Sequence, residues 1–276
     1  EFLCNNTGKP VILFPIAFHI NRSPLSWSTP RALTSLLSCR RKEYTDDRSI
    51  SFANVALSDR ISRNPERFYL SGRQTCADLT SLFEEIKTGR HPVFREGTHI
   101  DIFAYSIGAF LSQTALMANL KGLYSDTRLF MFCGGSIFRS MCGVSRSIID
   151  KAAFDKLYNY YIYIFGKESV FKWIRDEAFN AFYRMISPER YRAQRESFFE
   201  QAGERIGGIA LVQDTVIPYH GVQEAMGVKN TEERIELLDF SFPYSHENPF
   251  PVSTKDVSSV NCSFTKVFSR AAAFLA

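Results

Sequence analysis

Apolar residues in this chain fall into two rhythms. Short unbroken runs closed by Gly or Pro suit strands buried on both faces, and runs spaced by three and four suit helices. Val11 to Phe14 follows Gly8 and precedes Pro15, and reads as a buried strand. Ile50 to Leu57 (ISFANVAL) reads as a second. From Thr75 to Lys87 the period changes: Leu79, Leu82, Phe83 and Ile86 recur at i, i+3, i+4 and i+7. Thr75 and Asp78 suit a capping box there, and Gly89 suits a helix end. Ile100 to Tyr105 (IDIFAY) is a strand pattern, followed by a helix from Ile107 to Leu120 that is apolar on most sides, as in a helix packed deep against a sheet. Leu129 to Cys133 (LFMFC), closed by Gly134 and Gly135, Ile209 to Val212 and Ile235 to Leu238 are the remaining strand patterns. A last helix puts Val267, Phe268, Ala271, Ala272 and Leu275 on one face.

Strands alternating with helices predict an α/β fold, a mostly parallel sheet with helices on both faces. One stretch breaks the alternation. Between Ser136 and Gly203 the patterns are helical, and Phe154 to Phe199 holds 14 aromatic residues in 46 positions, about twice the density of the whole chain. The expected organisation is a core of residues 1–135 and 204–276, with a helical, aromatic-rich cap inserted at 136–203. These aromatics either build an apolar pocket or are the cap's own core.

Composition narrows the class without changing the fold. The 276 residues are 45% hydrophobic and 22% charged, with a formal charge of +4, which is ordinary for a globular protein. The densest basic run, Arg40 to Lys42, is answered at once by Glu43, Asp46 and Asp47, so nucleic acid is not an expected partner. No run approaches the ~18 apolar residues of a membrane span. Six cysteines, at 4, 39, 76, 133, 142 and 262, form no CxxC pair and read mostly as small buried hydrophobes, which favours a reducing, cytoplasmic setting. No metal-binding, dinucleotide or Walker pattern is present, and neither a metal nor a cofactor is expected.

The sharpest chemical signal is Ala104-Tyr105-Ser106-Ile107-Gly108, between a strand and a helix. A serine on so tight a turn is lifted above the sheet edge, and the small residues two before and two after it let strand and helix pass. The Ile107 amide, at a helix N-terminus, points at the same spot and could stabilise an oxyanion. The plain alternative is a serine that caps a buried helix. After the strand at 209–212 comes Asp214-Thr215-Val216-Ile217-Pro218, where Asp214 suits either an Asx-turn or a histidine partner. After the strand at 235–238 comes Ser245-His246-Glu247-Asn248, where a lone loop histidine would ordinarily be solvated. His220 follows Asp214 too closely and suits a helix start, and His91 and His99 precede the Ser106 strand at its other end. Cys133, at a strand end, suits a buried thiol rather than a nucleophile.

Taken together these residues resemble the α/β-hydrolase family, with its strand–Ser–helix elbow and its chain order of serine, acid and histidine. The departure is Ala104 where that family usually has Gly. The resemblance spans Val11 to Ala276 as order and spacing, and the family's first two strands have no counterpart. It implies an α/β-hydrolase fold and a serine hydrolase with Ser106 as nucleophile, Asp214 as acid and His246 as base. It implies acyl transfer from a small-molecule ester, or else an acyltransferase on the same triad or a non-catalytic binding protein. That family's loop after its early strand supplies a second oxyanion donor; here the amide of Ala17, or of Ile16, takes that place, and His19 lines the pocket.

Overall fold

The computed structural model describes residues 1–167 and 176–276. The chain divides into two compact units, Glu1–Leu13 with Asp78–Met141 and Asp176–Ala276, and Phe14–Ala77 with Cys142–Arg175.

The first unit holds the sheet. Its elements are α1 (Phe2–Thr7), the second half of α4 (Arg67–Lys87), β1 (Ile102–Tyr105), α5 (Ile107–Ala118), β2 (Leu129–Phe132), α7 (Glu177–Arg184), α8 (Arg192–Ala202), β3 (Ile206–Leu211), α9 (Tyr219–Met226), α10 (Val228–Arg234), β4 (Ile235–Leu238) and α11 (Val257–Leu275). The four strands are all parallel and lie in the order β1-β2-β3-β4, with Tyr105 opposite Phe132 and Phe132 opposite Ile209. Strands taken in sequential order with right-handed crossovers carry their connecting helices on one face. The other face is then left to the last helix. Val260, Val267, Ala271 and Leu275 of α11 pack on Phe130, Phe132, Ile209, Leu211 and Leu238, and α1 packs on α11, with Phe2 against Phe264 and Phe268. Both faces are covered, so β2 and β3 are buried at every residue.

The second unit is helical: α2 (Pro30–Glu43), α3 (Val55–Arg63), the first half of α4 and α6 (Lys151–Asn159), which runs into a π-turn at Tyr160–Ile164. Leu33, Val55 and Ala56 form a small core with Trp27, Leu36 and Leu37. A buried Arg40–Asp150 pair, 2.6 Å from Nη2 to Oδ1, joins α2 to the start of α6. Tyr161 accepts from the Tyr69 amide at 2.9 Å and donates to the Pro65 carbonyl at 3.0 Å.

Several expectations give way. Residues 11–14 are no strand: among the described residues they join no sheet, and Leu13 is 89% exposed. A strand exists through its pairing partner, not its side chains alone. Residues 50–57 are a turn entering α3. Ser51 Oγ accepts from the amides of Ala53 and Asn54, and the Asn54 side chain bonds Ser51, Ser49 and Ser145, so turn chemistry overrides the apolar run. Thr75 and Asp78 cap nothing, because α4 begins at Arg67; Gly89, at φ 69°, does follow its end. The stretch 136–203 holds α6, the π-turn, α7 and α8 among loops, with one isolated bridge between Val144 and Ile149, and residues 168–175 of it lie outside the described residues. It does not group as one insertion: 142–175 belongs with 14–77, where α6 packs on α3, and 176–203 belongs with the sheet, where α7 packs on α5. Of the cysteines, Cys76 and Cys133 are buried, while Cys39, Cys142 and Cys262 are exposed. Among the described residues, no helix is long and apolar enough to cross a membrane.

Candidate functional site

Three elements of the first unit end at one place. β1 stops at Tyr105, and Ser106 turns the chain into α5 at φ 54°, ψ −124°. That region is costly for a residue with a Cβ, and the surroundings enforce it. The Ser106 amide donates to the Phe132 carbonyl at 3.2 Å, and the Ser106 carbonyl accepts from the Ala109 amide at 2.9 Å. Gly134 lies against the same turn: a Cβ there would meet the Ala109 Cβ at 2.4 Å and the Ser106 carbonyl oxygen at 3.0 Å. At Gly108, by contrast, an added Cβ would meet nothing within 4 Å. The close approach expected at Gly108 therefore falls on Gly134 instead.

Asp214 follows β3 and is buried. Its Oδ1 accepts from the amides of Val216 and Ile217 at 2.9 and 2.8 Å, and its Oδ2 faces His246 Nδ1 at 2.8 Å. Turn former and histidine partner, the two readings of this residue, are both realised, one on each oxygen. His246, in the loop after β4, is 3% exposed. Its other nitrogen, Nε2, lies 2.6 Å from Ser106 Oγ. With Nδ1 carrying the proton and donating to Asp214, Nε2 is free to accept from the serine hydroxyl. The structure thus brings together Ser106, Asp214 and His246 in a continuous hydrogen-bonded line.

Ile107 is the first residue of α5, so its amide has no acceptor inside the helix. Ala17 lies in the second unit, and its amide donates to Thr75 Oγ1 at 2.9 Å; that N–H is engaged. His19 lies in the same unit; burial pushes its pKa down against a hydrogen bond to the Ala17 carbonyl. His220 stands in the first turn of α9. His99 pairs with Asp101 and Asp126.

Two neighbours of the line carry more than the sequence suggests. The ring of Tyr105 stacks on His246, centroids 5.5 Å apart at 15°, and its hydroxyl donates to the His246 carbonyl. The signal was alternation: Tyr105 shares a strand face with Phe103, which packs on α11, the side of the sheet on which the last loop and helix return. Cys133 is fully buried at φ 46°. Burial pushes its thiol well above the ordinary range, and the charge of Asp214 and a hydrogen bond to it push further the same way. It is a thiol at neutral pH rather than a thiolate. Among the described residues, no group of three His, Cys, Asp or Glu side chains is placed to hold a metal ion.

No curated protein and no solved structure matches this chain. The sequence model of the family of unknown function DUF6051 matches residues 1–276, and the chain is a member of that family.

Proposed function

We propose that this protein is a serine hydrolase that acts by acyl transfer on a carboxylic ester. The observation that carries the reading is the line from Ser106 Oγ through His246 to Asp214, at 2.6 and 2.8 Å, on a serine held at positive φ. Residues separated by 108 and 32 positions meet in the order and geometry that nucleophilic catalysis needs.

In this reading Ser106 Oγ bonds to the ester carbonyl carbon as His246 Nε2 takes its proton. Asp214, held by two backbone amides, fixes the imidazole and stabilises its charged form. The carbonyl oxygen becomes an oxyanion beside the Ile107 amide, where the N-terminus of α5 adds favourable dipole. Collapse breaks the ester C–O bond, and the alcohol leaves with the proton from His246. Water then attacks the acyl-enzyme, gives its proton to His246, and the acid departs as Ser106 recovers its own. An acceptor alcohol or amine in place of water would make the same site an acyltransferase.

A second reading, a binding protein without turnover, draws support from the Ala17 amide, which donates to Thr75 Oγ1 rather than standing free for an oxyanion. Labelling with a fluorophosphonate separates the two. The expected result is a single adduct on Ser106, absent from Ser106→Ala, together with turnover of activated esters. A folded wild-type protein that stays unlabelled and inert overturns the hydrolase reading in favour of the binding protein.

A further inference from the structure

We infer that Tyr105 is a positioning residue for His246, holding the imidazole in line between Ser106 and Asp214 by a ring stack and a hydroxyl tether. The inference rests on the hydrolase reading, since it names the residue that orients the base of that site.

The need for such a residue follows from where His246 sits. Residues 239–256 connect β4 to α11 with no helix or strand beyond one bridge, Ser245–Asn248. A side chain on an irregular loop keeps one orientation only when its neighbours fix it. Asp214 anchors Nδ1 and Ser106 meets Nε2, but these two in-plane bonds leave the ring free to tilt about the line between them and do not hold the backbone at His246. Tyr105 supplies both missing restraints. Its ring lies nearly parallel to the imidazole, and its hydroxyl donates to the carbonyl of His246 itself.

Tyr105 is in turn held by the sheet. It stands in register with Phe132 on β2, and their rings stack at 5.8 Å; Phe132 stacks on Phe250 at 5.7 Å. Phe250 belongs to the same loop as His246 and packs on Phe264 and Phe240. The imidazole is therefore the end of a ladder of four rings whose middle two are built into adjacent strands. Such offset stacks have defined geometry as well as buried area. The phenol keeps its proton, because burial and then the negative charges around it push its pKa up, so it remains a donor to the carbonyl. Tyr105 and Ser106 are also consecutive. The end of one strand thus places the nucleophile and sets the angle of its base, and neither can shift without the other.

The test measures fluorophosphonate labelling of wild type, Ser106→Ala, Tyr105→Phe and Tyr105→Leu, with the maximal rate and the half-saturating probe concentration resolved separately. Tyr105→Phe keeps the ring and loses the tether. Its maximal rate is expected to fall about tenfold, the size of one lost hydrogen bond. Tyr105→Leu loses both restraints and is expected to fall about a hundredfold, with half-saturation unchanged in each. That graded loss, with partial rescue by the ring, is not what a merely structural residue gives. If wild type and Ser106→Ala behave as a serine hydrolase requires but both Tyr105 variants reach the wild-type maximal rate, the positioning role is overturned and the hydrolase reading stands. The positioning role is likewise overturned if only half-saturation moves. A folded but unlabelled wild type removes both. Should Tyr105→Leu not fold, the isosteric Tyr105→Phe decides.

Discussion

Replacing Gly134 with alanine tests the tightness of the turn at Ser106 without assuming any activity. The added methyl would lie 2.4 Å from the Ala109 Cβ, 3.0 Å from the Ser106 oxygen and 3.3 Å from the Ser106 nitrogen. None of these atoms is the end of a flexible side chain, so relief requires β2 and α5 to move apart. Overpacking of a close-packed interior costs about 1–3 kcal/mol, and the rigidity of all three contacts argues for the upper end. For a chain of this size, about 3 kcal/mol lowers Tm by roughly 6–12 °C. Gly108→Ala is the control. No atom lies within 4 Å of the added methyl, and alanine is the better helix former by up to about 1 kcal/mol, so Tm should hold or rise. Adding Ala109→Gly to Gly134→Ala removes the 2.4 Å contact and should restore part of the loss, a coupling that two independent sites would not show. Thermal unfolding followed by circular dichroism reads all four proteins. If Gly134→Ala melts with the wild type, or Gly108→Ala is the more damaging of the two, the packing argument is wrong.

Three further outcomes are expected. Ser106→Ala, His246→Ala and their double variant should lose labelling and ester turnover to nearly the same extent, because the two groups act as one unit; additive losses would separate them. Arg195 is fully buried, and its guanidinium donates to six carbonyls, of Arg184, Ser187, Pro188, Arg190, Glu224 and Ala225. Arg195→Lys keeps the charge without the planar fork, so it should cost about 3–5 kcal/mol in urea unfolding, and a cost under about 1 kcal/mol would refute this. At Asp101, burial raises the carboxyl pKa, but hydrogen bonds from Arg128, His99 and Lys9 outweigh it and the net shift is downward from 3.8. The folded state therefore binds this proton less readily than the unfolded one. Its stabilisation is full above pH 3.8 and is lost as pH falls through the lower folded value. Asp101→Asn should lower stability at neutral pH and flatten its fall below about pH 4, and an unchanged acid slope would count against the cluster.

Much of the sheet was legible because its central strands, β2 and β3, are buried at every residue, a condition that writes unbroken apolar runs into the sequence. β4 falls on the expected residues, and β1, β2 and α5 differ by a few residues at their ends. β3 begins earlier than expected, at Ile206, and takes in Gly207 and Gly208. In the sheet Gly208 is needed: a Cβ there would lie 2.2 Å from the Met131 carbonyl oxygen. The residues of the candidate site could be picked out one by one, as a serine between strand and helix and an aspartate and a histidine after successive strands. Position along the chain suffices for that, since parallel strands bring their C-terminal ends to one edge. What position could not decide was pairing. Val11 to Phe14 has the side chains of a strand but, among the described residues, joins no sheet, and Ile50 to Leu57 hides a turn made by Ser51 and Asn54. Nor could it decide contact. That Tyr105 lies on His246, that Cys133 adjoins Asp214, and that Gly134 rather than Gly108 makes room for Ser106 are facts of packing. Local sequence sets backbone preference and burial pattern over a few residues; which distant atoms touch is set when all the elements compete for the same space.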